Sequence, residues 1–129
     1  MTATEKPCPF CTLPAERIID SNDFGVTIRD GFPVSPGHTL VIPKMHISSW
    51  FEISKEEQIS LMELLTKAQK KLEQEFSPDG YNIGINDGPA AGQTVPHLHM
   101  HIIPRYKDDQ KDPRGGVRWI IPDKAKYWE

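Results

Sequence analysis

Residues 93–105 read QTVPHLHMHIIPR, and they hold three of the five histidines of this 129-residue chain. His97, His99 and His101 are each separated from the next by one apolar residue. Because successive side chains of a strand point to opposite faces, a strand here would place all three imidazoles on one face. Adjacent rings would then stand about 6.6–6.8 Å apart along the strand. Three histidines within reach of one small ligand predict a functional site.

The pattern on either side of this stretch predicts an α+β domain. Between residues 54 and 76, apolar residues recur at steps of four, three, four and four, as in an amphipathic helix, and residues 54–57 form a capping box. A long helix packed on a mostly antiparallel sheet fits a single domain over residues 1–129. Runs rich in β-branched residues predict strands at 17–20, 24–30, 38–42, 81–86 and between Pro96 and Pro104.

Composition excludes several classes of partner. The net charge is −3, so the chain lacks the excess positive charge that would attract nucleic acid electrostatically. The first residues lack the apolar core of a signal peptide, and no apolar run approaches a membrane span. These features predict a cytoplasmic protein without a membrane partner. Cys8 and Cys11 are spaced C-x-x-C, which in a reducing compartment favours metal or redox chemistry over a structural disulfide.

Histidine supports several kinds of chemistry, and the triplet is compatible with more than one. An imidazole can act as a nucleophile, as a proton donor near neutral pH, or as a metal ligand. A metal site made by the triplet alone is disfavoured, because residues in line along a strand do not converge tetrahedrally. Acid–base catalysis and nucleophilic attack on phosphorus both remain open on the residues alone.

Three segments in order resemble the histidine triad (HIT) superfamily of nucleotide hydrolases and transferases. Residues 97–103, HLHMHII, resemble its HxHxHxx motif, in which x is apolar. Residues 37–44, GHTLVIPK, and residues 86–95, NDGPAAGQTV, resemble a strand and a loop that precede the triad in that superfamily. The resemblance spans about residues 8–106. It implies a HIT-like fold, with a mostly antiparallel sheet packed against one long helix and a short one.

The resemblance implies a catalytic role for four histidines. His99 matches the family nucleophile, which attacks an α-phosphate and forms a nucleotidyl-histidine that water hydrolyses. His101 matches the residue that holds the phosphate or the leaving group, and His97 matches the first triad position. His38 matches a fourth histidine beside the nucleophile. Contacts to ribose and phosphate are implied for Asp30, Asn86, Gln93 and Thr94.

The same resemblance implies a structural zinc site. Residues 8–11, CPFC, resemble the zinc knuckle of one subset of HIT proteins. In that subset a histidine after the PK strand and the first triad histidine join the two cysteines. An unmetallated thiol pair is the alternative, and a thioredoxin-like role is disfavoured because no βαβ pattern surrounds the motif. The matching residues make a closed Cys₂His₂ set: Cys8, Cys11, His46 and His97.

The implied activity is hydrolysis of phosphoanhydride or phosphoramide bonds in AMP-containing nucleotides. The loop of residues 86–93 and the IIPR ending at 102–105 are closer to the fragile histidine triad members, which cleave diadenosine polyphosphates. We therefore expect a dinucleoside polyphosphate hydrolase. The alternatives are a nucleoside phosphoramidate hydrolase, a nucleotidyltransferase, and a nucleotide-binding regulator without enzymatic function.

The resemblance also bears on how the chain assembles and on the role of its C-terminal residues. HIT domains usually pair as two-fold homodimers, so the resemblance implies a homodimer with the long helix and a sheet edge at the interface. The aromatic C-terminal residues either cover a neighbouring subunit or fold on their own chain, and two arginines there could reach a phosphate. These residues are Arg114, Arg118, Trp119, Tyr127 and Trp128.

Overall fold

A computed structural model describes residues 7–129 of the chain. Its strands are β1 (Ile18–Ser21), β2 (Gly25–Arg29), β3 (Thr39–Pro43), β4 (Gly80–Ile85) and β5 (Met100–Arg105). Its α-helices are α1 (Lys55–Phe76) and α2 (Pro122–Ala125). The strands form one antiparallel sheet in the order β1-β2-β3-β5-β4, which confirms the predicted α+β architecture. No α-helix in the described residues is long and apolar enough to cross a membrane.

The long helix begins and ends where the sequence indicates. The Ser54 hydroxyl oxygen accepts a hydrogen bond from the Glu57 N–H (3.1 Å), and the Glu57 carboxylate accepts one from the Ser54 N–H (3.2 Å). This capping box satisfies two main-chain donors at the start of the helix. Ser77 follows the last turn in a left-handed conformation, with φ at 49°, and ends the helix. The buried side chains of α1 are Leu61, Leu64, Ala68 and Leu72.

Helix α1 covers one face of the sheet and leaves the opposite face for the site. Neighbouring residues of β3 separate the two faces: Val41 packs in the cluster beneath α1, whereas Leu40 and Ile42 pack in a second cluster. Phe10 and Leu13, from the segment before β1, are partly buried against that second cluster. The N-terminal segment is therefore placed over the same sheet face as the second cluster.

Strand β5 differs from the predicted histidine strand at both ends. It begins at Met100, so only His101 of the triplet lies within the strand. His97 lies in a bend closed by a hydrogen bond from its N–H to the Val95 carbonyl (2.8 Å). The strand also includes Pro104, because pairing with β3 has ended before that residue and its missing N–H costs no bond there.

The C-terminal segment, residues 107–129, folds back on its own chain in the structure. The Trp119 indole N–H donates to the Arg114 carbonyl (2.8 Å), and the Arg114 guanidinium carbon lies 4.5 Å from the centre of the Trp128 ring. Arg118 donates to two main-chain oxygens of α2, at 2.6 and 2.9 Å. The two arginines for which a phosphate contact was considered are thus both engaged within the C-terminal segment.

Candidate active site and metal centre

The ring of His99 is oriented by the main chain. Its Nδ1 atom lies 2.8 Å from the carbonyl oxygen of His97. A carbonyl oxygen only accepts hydrogen bonds, so the proton of a neutral His99 ring lies on Nδ1. The lone pair then lies on Nε2. This tautomer is the one that a nucleophilic histidine requires, because the attacking nitrogen must be unprotonated.

His38 and His101 form a hydrogen-bond relay beside His99. The Val34 N–H donates to Nδ1 of His38 (3.2 Å), so the proton of a neutral His38 ring lies on Nε2. That Nε2 lies 2.9 Å from Nδ1 of His101 and 3.3 Å from a carboxylate oxygen of Asp30. His101 therefore accepts at Nδ1 and carries its own proton on Nε2. The His101 and His99 ring centres are 5.2 Å apart, close enough to share one phosphate.

Burial keeps both rings of this relay neutral. It lowers the pKa of His38 below the usual 6.5, although the Asp30 carboxylate acts in the opposite direction. Burial, followed by repulsion from His99 and His38, lowers the pKa of His101 to about 4. At pH 7 the relay offers a hydrogen-bond donor at His101 without a net charge.

The four predicted metal ligands come together in the structure. The ligand atoms of Cys8, Cys11, His46 and His97 all lie within 4.8 Å of one another. Nδ1 of His97 is 3.4 and 3.5 Å from the two sulfurs and 3.2 Å from Nδ1 of His46. Tetrahedral zinc, with bonds of about 2.3 Å to sulfur and about 2.0 Å to nitrogen, separates S from N by about 3.5 Å and N from N by about 3.3 Å. The cluster therefore fits zinc.

His97 has both ring nitrogens engaged, on opposite sides. Its Nε2 lies 2.8 Å from the Pro43 carbonyl oxygen, so Nε2 carries the proton and the Nδ1 lone pair faces the cysteines. The side chain is 0% exposed. A zinc ion held by this set would be structural, because four protein ligands leave no open position. It would tie the N-terminal segment to the end of β3.

A second group of possible ligands does not suit a metal ion. One ligand atom from each of Asp30, His38 and His101 lies within 4.8 Å of the others. However, His38 directs its protonated Nε2 toward the other two side chains, and a ligand nitrogen needs a free lone pair. Proton positions thus separate the two groups: the cysteine-containing cluster fits a metal ion, and this trio is a hydrogen-bond relay.

The loop between β4 and β5 carries three of the four predicted substrate contacts. Asn86 and Thr94 have exposed side chains near its two ends. The Gln93 side chain is fully engaged: its oxygen accepts from the Gly88 N–H (2.8 Å), and its nitrogen donates to one main-chain oxygen of the loop (3.1 Å) and to the Ser48 carbonyl beyond β3 (3.0 Å). Gln93 therefore holds the loop in shape, while the other two side chains are accessible to a ligand.

Asp30, the fourth predicted contact, lies just after β2. One of its carboxylate oxygens accepts a hydrogen bond from the Phe32 N–H (2.8 Å), and the other faces His38 at 3.3 Å. A carboxylate has about four lone-pair positions, so acceptor capacity remains for two hydroxyl groups. This position places a possible ribose contact directly beside the relay.

Phe10 contacts the site although its sequence pattern did not identify it. Its ring centre lies 4.9 Å from that of His99 and 5.9 Å from that of His97. Phe10 lies between the two cysteines of the C-x-x-C motif, so a metal ion bound there would also fix this ring. An apolar residue inside a ligand loop was the available signal, but only the folded chain shows that the loop reaches His99.

Comparisons with known proteins identify the family and several relatives of this chain. Residues 12–108 match the HIT domain family. A 16.1 kDa HIT-like protein of Mycoplasma pneumoniae is 37% identical over 105 residues, covering 78% of this chain and 72% of that protein. The bis(5′-adenosyl)-triphosphatase of Saccharomyces cerevisiae is 31% identical over 126 residues, covering 96% of this chain and only 58% of the enzyme.

A solved structure shares the fold. The crystal structure of a Zn-bound histidine triad family protein from Mycobacterium smegmatis has a TM-score of 0.72 and 35% identity, covering 81% of this chain and 79% of the other. The resemblance read from the three sequence segments is thereby confirmed. Because the family match spans residues 12–108 and the Mycoplasma pneumoniae relative is 37% identical over 105 residues, the chain belongs to the HIT domain family.

Proposed function

We propose that this protein hydrolyses dinucleoside polyphosphates at an α-phosphate, through a nucleotidyl intermediate on His99. One observation carries the proposal. Because Nδ1 of His99 donates to the His97 carbonyl, the free lone pair lies on Nε2, on the ring that neighbours His101. The similarity to a bis(5′-adenosyl)-triphosphatase supports the choice of substrate, although the chain spans little more than half of that enzyme.

In the first step, Nε2 of His99 forms a bond to the α-phosphorus while the bond to the bridging oxygen breaks. The ring becomes cationic, and its Nδ1–H donates a charge-assisted hydrogen bond to the His97 carbonyl. The Nε2–H of His101 donates to an oxygen that gains negative charge, which lowers the barrier. In the second step, the oxygen of a water molecule bonds to the phosphorus, the bond from phosphorus to Nε2 breaks, and the water gives up a proton to solvent. This step releases the nucleoside monophosphate and returns His99 to its neutral form.

The relay favours a phosphoanhydride over a phosphoramide. A nucleotide leaving group departs as a stable anion, which needs a hydrogen bond but no proton. An amine leaving group would need a proton, and the low pKa of His101, about 4, leaves that ring neutral at pH 7. Phosphoramidate hydrolysis is therefore the second candidate function.

The other residues position the substrate. Asp30 has acceptor capacity for the two ribose hydroxyls, and the exposed Asn86 and Thr94 side chains lie on the loop that leads to the triad. His97 acts as a positioning residue because both of its nitrogens are engaged. Zinc held by the Cys₂His₂ set would fix the N-terminal segment, and with it Phe10, against the triad.

The proposal also includes a two-fold dimer. Strand β4 pairs only with β5, so its other edge is open in the described chain, and Ile83 on this strand is 47% exposed. An open, apolar edge strand is a liability that a symmetric partner strand removes.

Turnover of a substrate panel tests the proposed activity. We expect rapid release of AMP from diadenosine triphosphate and diadenosine tetraphosphate, and slower release from adenosine phosphoramidate. Release from the phosphoramidate alone would favour the second candidate. Tight AMP binding without turnover of any substrate would instead indicate a nucleotide-binding regulator.

A further inference from the structure

A large cavity opens on the same sheet face as the catalytic histidines. Along β5, His101, Ile103 and Arg105 alternate with buried residues and therefore share one face. The cavity begins at Ile103, about 6.6–6.8 Å along the strand from His101. Its volume is about 720 Å³, within the usual range for small-molecule sites. Its walls include Val34, Pro36, Ile103, Arg105, Trp119 and Trp128.

The C-terminal segment builds one wall of this cavity, and the loop before β3 builds another. The Tyr106 hydroxyl donates to the Pro36 carbonyl (2.7 Å), which joins the end of β5 to that loop. Two indoles, of Trp119 and Trp128, supply the aromatic surface. The indole N–H of Trp128 is buried and has no acceptor among residues 7–129. This wall therefore contains a buried hydrogen-bond donor that has no acceptor in the described part of the chain.

The charges around the cavity are nearly balanced. Arg105 makes two hydrogen bonds to Asp109, at 2.8 and 2.7 Å, and a third to Asn82. This pairing lowers the pKa of Asp109 to about 2 and occupies the guanidinium. Asp112 is paired with Arg114 at 2.9 Å. The charged groups of the lining balance in number, and an aromatic wall of this kind suits an uncharged, flat group better than a phosphate; these groups are Arg105, Asp109, Asp112 and Lys126.

The order of His99, His101 and Ile103 along the chain indicates which group the cavity would receive. In phosphoryl transfer the attacking and leaving atoms lie roughly in line with the phosphorus. His99, His101 and Ile103 follow one another along the chain, so a group that leaves opposite His99 and past His101 moves toward the cavity. The other side of the triad carries Phe10 and the apolar cluster on β2 and β3.

We propose that this cavity binds the nucleoside of the leaving nucleotide of a dinucleoside polyphosphate, with its base against the indoles of the C-terminal segment. The inference rests on the proposed function and goes beyond it, because it assigns the second half of the substrate to a site that the C-terminal segment and the loop before β3 build beside β5. A substrate with a small leaving group would leave this site empty.

Two variants and two measurements test the assignment. Trp119→Ala removes one indole, and Gln110→Trp places a bulky ring at an exposed position of the cavity lining. Each should lower kcat/KM for diadenosine triphosphate about tenfold, the usual order for losing one base–aromatic stack. The inhibition constant of AMP should stay within twofold, because AMP fills only the half of the site beside the triad.

Control variants separate stacking from folding. Trp119→Phe keeps an aromatic ring and should restore most of the turnover. Ile120→Ala removes an 81% exposed residue of the same segment outside the cavity and should change neither measurement.

The possible results separate the two proposals. Unchanged kcat/KM in both test variants, or a parallel weakening of AMP binding, would overturn the inference and leave the proposed function standing. A wild-type protein that cannot cleave diadenosine triphosphate would instead contradict the proposed function, and this inference with it.

Discussion

The Nδ1 atom of His99 lies 2.8 Å from the carbonyl oxygen of His97, so the main chain of one histidine orients the ring of the next. His97 is also a member of the Cys₂His₂ cluster, and its Nε2–H donates a hydrogen bond to the Pro43 carbonyl. The candidate nucleophile and the candidate zinc site thus share one short piece of backbone. Predictions about catalysis and about metal binding can therefore be tested against each other.

Removing the candidate nucleophile should abolish turnover. We expect His99→Ala to lower kcat by about 10³-fold or more, because the covalent step is lost. Nucleotide binding should remain, since the other contacts are intact. Steady-state assays and titration calorimetry with AMP would measure the two effects. Retention of more than a few per cent of the activity would contradict the role of His99.

One zinc ion per chain is expected at the Cys₂His₂ cluster. Elemental analysis of protein purified without chelators should find it, and Cys8→Ser or Cys11→Ser should lower the zinc content and the thermal midpoint together. His99→Ala is the matched control, because His99 adjoins the cluster but is not a ligand, and this variant should keep its zinc. A wild-type protein with almost no zinc would show that the two thiols do not bind a metal ion.

Acid should destabilise the protein through His101. An unfolded histidine has a pKa near 6.5, whereas the pKa of His101 in the folded chain is about 4. The unfolded state therefore binds more protons between these values, and the free energy of unfolding falls as pH drops from about 6.5 to about 4. Because His101 is partly exposed, we expect its contribution to this loss to be about 1–3 kcal/mol.

Urea unfolding at pH 7 and pH 4.5 would measure this effect. His101→Asn has no titrating ring, so its free energy of unfolding should change less between the two pH values than that of the wild type. Any loss of zinc at low pH should affect both proteins alike. An identical pH dependence in the variant would exclude His101 as the source.

The capping box should stabilise the fold without affecting catalysis. Ser54→Ala removes the acceptor for the Glu57 N–H and should lower the free energy of unfolding by about 1 kcal/mol. Ser60→Ala, within α1, makes a matched control and should cost nothing, since alanine favours a helix interior. Chemical unfolding would compare the two variants. Equal effects would show that the cap contributes no stability.

The dimer should depend on the open edge of β4. Light scattering at micromolar concentration should report about twice the chain mass of 14.6 kDa. Ile83→Lys places a charge on the edge strand and should give a monomer. Ile120→Lys, at a more exposed position of the C-terminal segment, should leave the dimer intact. A monomeric wild type would remove the dimer from the proposal.

Local sequence was enough to predict the main elements and the family. Helix α1 follows from its apolar spacing and from the cap at Ser54, both of which are local properties of neighbouring residues. The triad, the C-x-x-C pair and the two flanking segments indicated the family, because motif residues close in the chain keep their order regardless of packing. The strand limits did not follow from local sequence: β5 starts at Met100, later than the histidine spacing predicts.

The different roles of the triad histidines depend on long-range contacts in the folded chain. His97 turns to the cysteines and His101 to His38, because the Pro43 carbonyl and the Val34 N–H fix which ring nitrogens carry protons. Those partners come from distant parts of the chain, and no spacing rule relates them to the triad. The same holds for Phe10 beside His99, and for the cavity that the C-terminal segment closes over β5. Long-range packing and shared hydrogen bonds set these contacts, and local sequence does not encode them.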